Sequence, residues 1–202
     1  MELLAIIVVV VAVIYFLRWR AKPKISLAHL PEQFVVFDLE TTGLNPATHE
    51  IIEIGAIRVN RDSINHDTFQ SLVKPTRKVP KKITELTGIN QAMLDSEGDS
   101  LESALRDFMS FVGPLHLVSF NADFDMAFLR NAASNHSISI ANPVSCALKM
   151  SRRAWPGRGS YRLADLAKDG NLSSAGTHRA LGDCQRALIV YTAAASKLGS
   201  VS

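Results

Sequence analysis

Phe37-Asp38-Leu39-Glu40-Thr41-Thr42-Gly43 closes an apolar run that begins at Gln33, and its two carboxylates stand two positions apart. Gln33 to Glu40 reads as a strand, in which side chains at i and i+2 share a face, so Asp38 and Glu40 stand side by side. Two anions held that close repel, and one is driven toward its neutral form unless a cation lies between them. A divalent metal is the natural occupant of such a pair. By itself, Asp-x-Glu is more often the solvated acidic end of a strand. Two further acidic stretches shift the balance.

The second stretch is Ser119-Phe120-Asn121-Ala122-Asp123-Phe124-Asp125, directly after the short apolar run from Leu115 to Phe120, another strand candidate. Phe124, Phe128 and Leu129 follow at helical spacing, which puts Asp125 in a first helical turn where the macrodipole favours an ionised carboxylate. Asp123 reads as a helix cap, and capping competes with metal ligation as the role of Asp125.

The third is His178-Arg179-Ala180-Leu181-Gly182-Asp183-Cys184, which opens a long helical pattern through Leu188, Val190 and Tyr191. Five residues of ideal helix turn through about 500°, which would leave His178 and Asp183 pointing about 140° apart. His178 therefore belongs on the loop leading into the helix, free to turn toward Asp183.

Taken together, D-x-E, N-A-x-F-D and H-x4-D, in that order over about 145 residues, resemble the DEDDh branch of the DEDD 3′-to-5′ exonucleases. That group includes the proofreading epsilon subunit of bacterial DNA polymerase III and ribonuclease T. The resemblance spans roughly residues 33 to 195 and takes in Val73-Lys74-Pro75, Pro80, Thr87-Gly88-Ile89 and Gly159-Ser160-Tyr161-Arg162-Leu163. One departure is Phe120, where many members carry His before the Asn of the second motif; it is not one of the acids or the catalytic His. The sister branch carries Tyr four residues before the last Asp, and Arg179 excludes it.

The resemblance implies a metal-dependent 3′-5′ exonuclease that releases nucleoside 5′-monophosphates from a single-stranded or frayed 3′ end of DNA or RNA. It implies that Asp38 bridges two divalent cations, Mg2+ or Mn2+, with Glu40 and Asp183 completing the first and Asp125 serving the second. Oxygen donors suit such hard cations, and two of them about 3.5 to 4 Å apart can clamp both oxygens of an in-line phosphoryl displacement. His178 is the implied base, since imidazole is the side chain that changes charge near neutral pH. Thr41, Thr42, Gly43 and Leu44 lie where the family cradles the terminal nucleotide, with Leu44 against its base. The rival reading is a catalytically idle, membrane-tethered nucleic-acid-binding or adaptor module. All five chemical residues are present, and a decayed site would be expected to have lost one. Nothing in the motifs separates DNA from RNA or names a polymerase or other protein partner.

The coarse elements agree with this fold. Strand-like runs at 33 to 39, 50 to 60 and 67 to 73 are joined too closely for crossover helices and predict an antiparallel meander. Further strands are expected near 115 to 120 and 137 to 141, and a long helix from about 179 to 197. The expectation is an α/β, ribonuclease H-like, mixed five-stranded sheet flanked by helices, preceded by one N-terminal transmembrane helix. In domain terms, residues 1–19 are the anchor, 20–32 a basic linker and 33–198 the exonuclease domain.

The anchor rests on Leu3 to Leu17, fifteen residues without a charge, followed by Arg18-Trp19-Arg20-Ala21-Lys22-Pro23-Lys24. Fifteen is short of the usual ~20, but Glu2 and Arg18 can snorkel and Trp19 suits the interface. A core helix is disfavoured by the apolar character on every face. A signal peptide carries its positive charge before the apolar stretch rather than after it, although Ser26-Leu27-Ala28 satisfies a small-x-small cleavage rule. The four following cations predict that residues 3–19 insert with the catalytic domain on the cytoplasmic side.

Those cations also account for the pI of about 9.0. Removing four positive charges from 22 and Glu2 from 19 acids leaves residues 25 to 202 balanced, so the pI gives no evidence of nucleic-acid binding. Within the domain, Lys74, Arg77, Lys78, Lys81 and Lys82 form either a solvated loop or a segment that steers phosphates. Cys146 and Cys184 show neither metal spacing nor a disulfide framework, and Cys184 reads as core packing.

Overall fold

The computed structural model describes residues 30–169 and 178–199. Five strands, β1 (Gln33–Thr41), β2 (Ile51–Asn60), β3 (Asp67–Leu72), β4 (His116–Ser119) and β5 (Val144–Cys146), form one sheet in the order β3-β2-β1-β4-β5. The first three make the expected antiparallel meander, and β4 and β5 join parallel to β1. Reaching β4 requires a crossover, which is made by α1 (Lys81–Thr87), α2 (Gln91–Glu97) and α3 (Leu101–Val112). After β4 come α4 (Ala122–Asn135), α5 (Ala147–Ala154), α6 (Leu163–Asp169) and α7 (Ala180–Gly199).

β1 is central and apolar on both faces, as a strand covered by helices on either side must be. Its odd-numbered residues Val35, Phe37 and Leu39 pack with Leu105 and Phe108 of α3 and Phe128 and Leu129 of α4. Its even-numbered residues Phe34 and Val36 pack with Cys184, Ala187 and Tyr191 of α7, where Leu30 is also buried. A smaller cluster of Ile52, Ile89 and Leu94 seats α2 beside β2. The strand pairing shifts register between Glu40 and Thr41, and irregularities of this kind re-aim side chains beside functional sites.

One strand lies elsewhere than expected. The run near 137 to 141 is not a strand: Ile138 and Ile140 are partly buried against the α3/α4-side core, and β5 begins only at Val144. The Ile138-Ser139-Ile140 alternation reflects burial without pairing, and the ladder onto β4 starts where the Leu117 N–H donates to the Pro143 carbonyl at 2.8 Å. The closing helix matches its expected position to within two residues at its C-terminal end. Among the described residues no helix is long and apolar enough to cross a membrane; the expected span at 3–19 lies outside them.

Candidate active site

At the C-terminal end of β1 the even-numbered face that began with Phe34 and Val36 continues as Asp38 and Glu40. A third carboxylate reaches them because β2 gives way: Gly55 pairs with Asp38, and a β-carbon there would lie 2.6 Å from the Leu181 amide nitrogen. Glycine inside a strand marks such a close approach of two backbones. It seats the first turn of α7 on the sheet and delivers Asp183, so that ligand oxygens of Asp38, Glu40 and Asp183 all lie within 4.8 Å of one another.

Asp125 lies apart from this trio. It is only 3% exposed and accepts hydrogen bonds from the Ser119 hydroxyl and the Leu39 backbone N–H. Asn121, at the N-cap of α4, makes no side-chain cap bond, Asp123 is paired with Lys149 at 2.6 Å, and Asp125 also accepts from its own backbone N–H in the first turn of the helix. The charge of Asp125 is nevertheless felt at Asp38. His178 is on the segment leading into α7, 56% exposed, with Nδ1 3.5 Å from Asp183 Oδ2.

Burial and mutual repulsion hold this group in an unusual state. Asp38 is pushed well above the ordinary carboxylate range, first by burial and then by the charges of Asp125, Asp183 and Glu40. Glu40 is pushed up to about 8 by burial and then by Asp183, Glu53 and Asp125, against a smaller opposing pull from Arg179. Asp125 is pushed up to about 7 by burial, although the Ser119 and Leu39 hydrogen bonds favour its anion. Oxygen donors that resist ionising together are a fit for a divalent cation, whose charge removes the conflict.

Four residues that the motif reading did not assign support the site. Glu53 faces Glu40 across the β1–β2 ladder and is fully buried. Its carboxylate accepts from Arg179 Nε at 3.0 and 3.1 Å, from Arg179 Nη2 at 2.5 Å, from the Ala180 N–H at 2.9 Å and from Gln70 at 2.8 Å. This network ties the residue after His178, and the start of α7, to the centre of the sheet. Arg186 donates to Asp183 Oδ1 at 2.7 Å, leaving Oδ2 toward His178. Ser119 orients Asp125. The available signals were a lone acid inside the apolar run Ile51–Ile54 and an arginine directly after the histidine.

The loop after β1 is shaped by its own residues. The Thr41 hydroxyl donates to the Gly43 carbonyl at 2.7 Å, and the Thr42 hydroxyl accepts from the Glu50 N–H at 2.9 Å. Gly43 lies against the His49 ring. Leu44 is 83% exposed, a large apolar side chain held out into solvent beside the carboxylates' strand. In the basic segment, Arg77 is paired with Glu50 and Lys81 with Glu85. Cys184 is buried in the α7-side core, its thiol 3.3 Å from the Gly55 carbonyl.

A mixed sheet of this order, with acids from β1 and two helices gathered at one end, defines a ribonuclease H-like exonuclease domain. An exonuclease family, RNase T, matches residues 35–191, and the chain belongs to that family as a DEDD-type exonuclease domain. The epsilon subunit of DNA polymerase III from Aquifex aeolicus is 35% identical over 74% of this chain and 74% of its own. A PolC-type DNA polymerase III from Caldanaerobacter subterraneus is 34% identical over 87% of this chain, which spans 12% of that protein. E. coli exonuclease I in complex with a dT13 oligonucleotide shares the fold, with a TM-score of 0.73 over 85% of this chain and 42% of that one at 19% identity.

Proposed function

We propose that this chain is a metal-dependent 3′-5′ exonuclease that releases nucleoside 5′-monophosphates, and that it is tethered to a membrane through residues 3–19 with residues 33–198 in the cytoplasm. The observation that carries the catalytic reading is the approach of Asp38, Glu40 and Asp183 to within 4.8 Å, with Asp125 buried behind them. When bound to these carboxylates, Mg2+ or Mn2+ would supply Lewis-acid charge to the scissile phosphate and to the attacking water. Asp38, Glu40 and Asp183 would hold the cation, with Asp125 adding a fourth carboxylate near them. His178 stands at the exposed mouth, where it can take the proton of the attacking water while Asp183 orients its ring. Leu44 meets the terminal base, and the hydroxyls of Thr41 and Thr42 hold the Gly43 turn that presents it.

Relatives named as DNA polymerase III and a fold neighbour bound to dT13 make single-stranded DNA the first substrate to try, with RNA beside it. The full chain is incubated with 5′-labelled DNA and RNA strands and Mn2+, and the products are resolved by length. Stepwise shortening from the 3′ end with release of 5′-monophosphates, abolished by EDTA, is expected. Binding without turnover would establish the idle module instead.

The membrane reading is supported by the uncharged run Leu3–Leu17 and the cations that follow it. Fractionation tests it: the full chain should resist carbonate extraction, with the domain digested only when the cytoplasmic face is opened. A shortened soluble protein beginning near His29, recovered outside the cytoplasm, would overturn it.

A further inference from the structure

A cationic cleft lies beside α4, the helix that carries Asp125. A cleft of about 510 Å³ runs between α4 and α5, lined by Arg130 of α4, by Lys149 and Arg153 of α5, and by the apolar side chains of Met126, Val144 and Met150. Seven of the eleven arginines among the described residues have a carboxylate partner: Arg58, Arg61, Arg77, Arg106, Arg158, Arg179 and Arg186. Arg130, Arg152, Arg153 and Arg162 have no ion pair there, and two of these four share this cleft. Lys149 is already paired with Asp123, so two arginine charges beside apolar lining have no acidic partner among the described residues. Paired phosphates and sugars match that combination.

The cleft adjoins the carboxylate cluster through shared elements. Asp123 lines the cleft and Asp125 lies two residues on, about 200° round the helix, buried toward Asp38. The end of β4 joins them as well: the Phe120 carbonyl accepts from the Leu148 N–H at 2.9 Å where α5 starts, and Ser119 beside it donates to Asp125. α4, about 10 to 12 Å across with its side chains, stands between the two sites, a span that a single strand covers within a few nucleotides.

We propose that the α4–α5 cleft holds the sugar-phosphate backbone of a single-stranded nucleic acid a few nucleotides upstream of its 3′ end, with Arg130 and Arg153 as its phosphate contacts. This rests on the nuclease reading above. A terminal nucleotide alone fills only the carboxylate end, and a longer strand engages both.

The test uses the full chain and the Arg130→Gln/Arg153→Gln double variant, with melting temperature as the control for folding. Two substrates are compared: a single strand of about twelve nucleotides, and p-nitrophenyl thymidine 5′-monophosphate, which is too short to reach the cleft. The variant should raise KM for the strand about tenfold, leave kcat and the small ester unchanged, and reduce the salt slope of strand binding by about 1.4, as for two lost phosphate contacts. Equal loss on both substrates, or loss on neither, would overturn the proposal. Should the unaltered chain cleave neither substrate, the nuclease reading fails separately, and anisotropy of a labelled strand decides the cleft. Affinity about tenfold weaker in the variant would support it, and unchanged affinity would refute it.

Discussion

Asp38 stands across the β1–β2 ladder from Gly55, and the absent side chain of Gly55 is the gap through which α7 brings Asp183 to Asp38. The acidic strand and the acidic helix are therefore joined by a glycine that carries no chemistry. Gly55→Ala should push the first turn of α7 from the sheet, because the new methyl group meets backbone that cannot rotate away. A loss of about 1–3 kcal/mol of stability is expected, with a larger proportional loss of divalent-cation affinity. Urea melts and a metal titration of the same preparation check it; normal metal affinity in a destabilised protein would contradict the geometry.

Arg179→Ala should destabilise the fold by about 3–5 kcal/mol, since it strands the fully buried Glu53 carboxylate without its cation. Replacing Glu53 by Gln in the same protein should recover part of that loss. The double-mutant cycle, measured by denaturation in urea, separates the pair from its separate halves. Independent, additive losses would mean the two side chains do not act as a unit.

The metal-free protein should behave unusually toward pH. Glu40 and Asp125 have folded-state values raised to about 8 and about 7, so the folded chain binds more protons than the unfolded one in the range between those values and the ordinary carboxylate range. Stability of the EDTA-treated domain should accordingly rise as pH falls from about 8 toward 5, and Mn2+ should raise the melting temperature more at the alkaline end. Asp38→Asn should flatten this dependence, stabilise the metal-free protein and abolish nucleotide release. A melting temperature that climbs with pH in EDTA would be incompatible with the repelling cluster.

His178→Ala should reduce the rate about 10²- to 10⁴-fold while leaving divalent-cation affinity and the melting temperature nearly unchanged, since the ring is exposed and lies outside the carboxylate trio. Single-turnover kinetics at saturating Mn2+ distinguishes this from weakened metal binding. A rate within a few-fold of the unaltered chain would reduce His178 to a surface residue.

How much of this was legible in the chain depended on sequence distance. Asp38 and Glu40 were legible because a strand's period of two puts them on one face, and His178 because five residues of helix turn it away from Asp183. Ile138 and Ile140 misled because alternation reports burial, whereas strand pairing needs a partner edge that Val144 to Cys146 occupy. Glu53 and Arg179 are 126 residues apart, and no local pattern announces that a buried acid on one strand anchors the start of the last helix. The same holds for Gly55, whose meaning exists only once α7 lies on it.

Leu30 is tucked into the α7-side core just before β1, and the acids lie toward the strand's other end. From Gln33 to Asp38 the strand advances about 17 Å. In the membrane reading proposed above, the chain would therefore enter the domain at the end of β1 opposite the carboxylates.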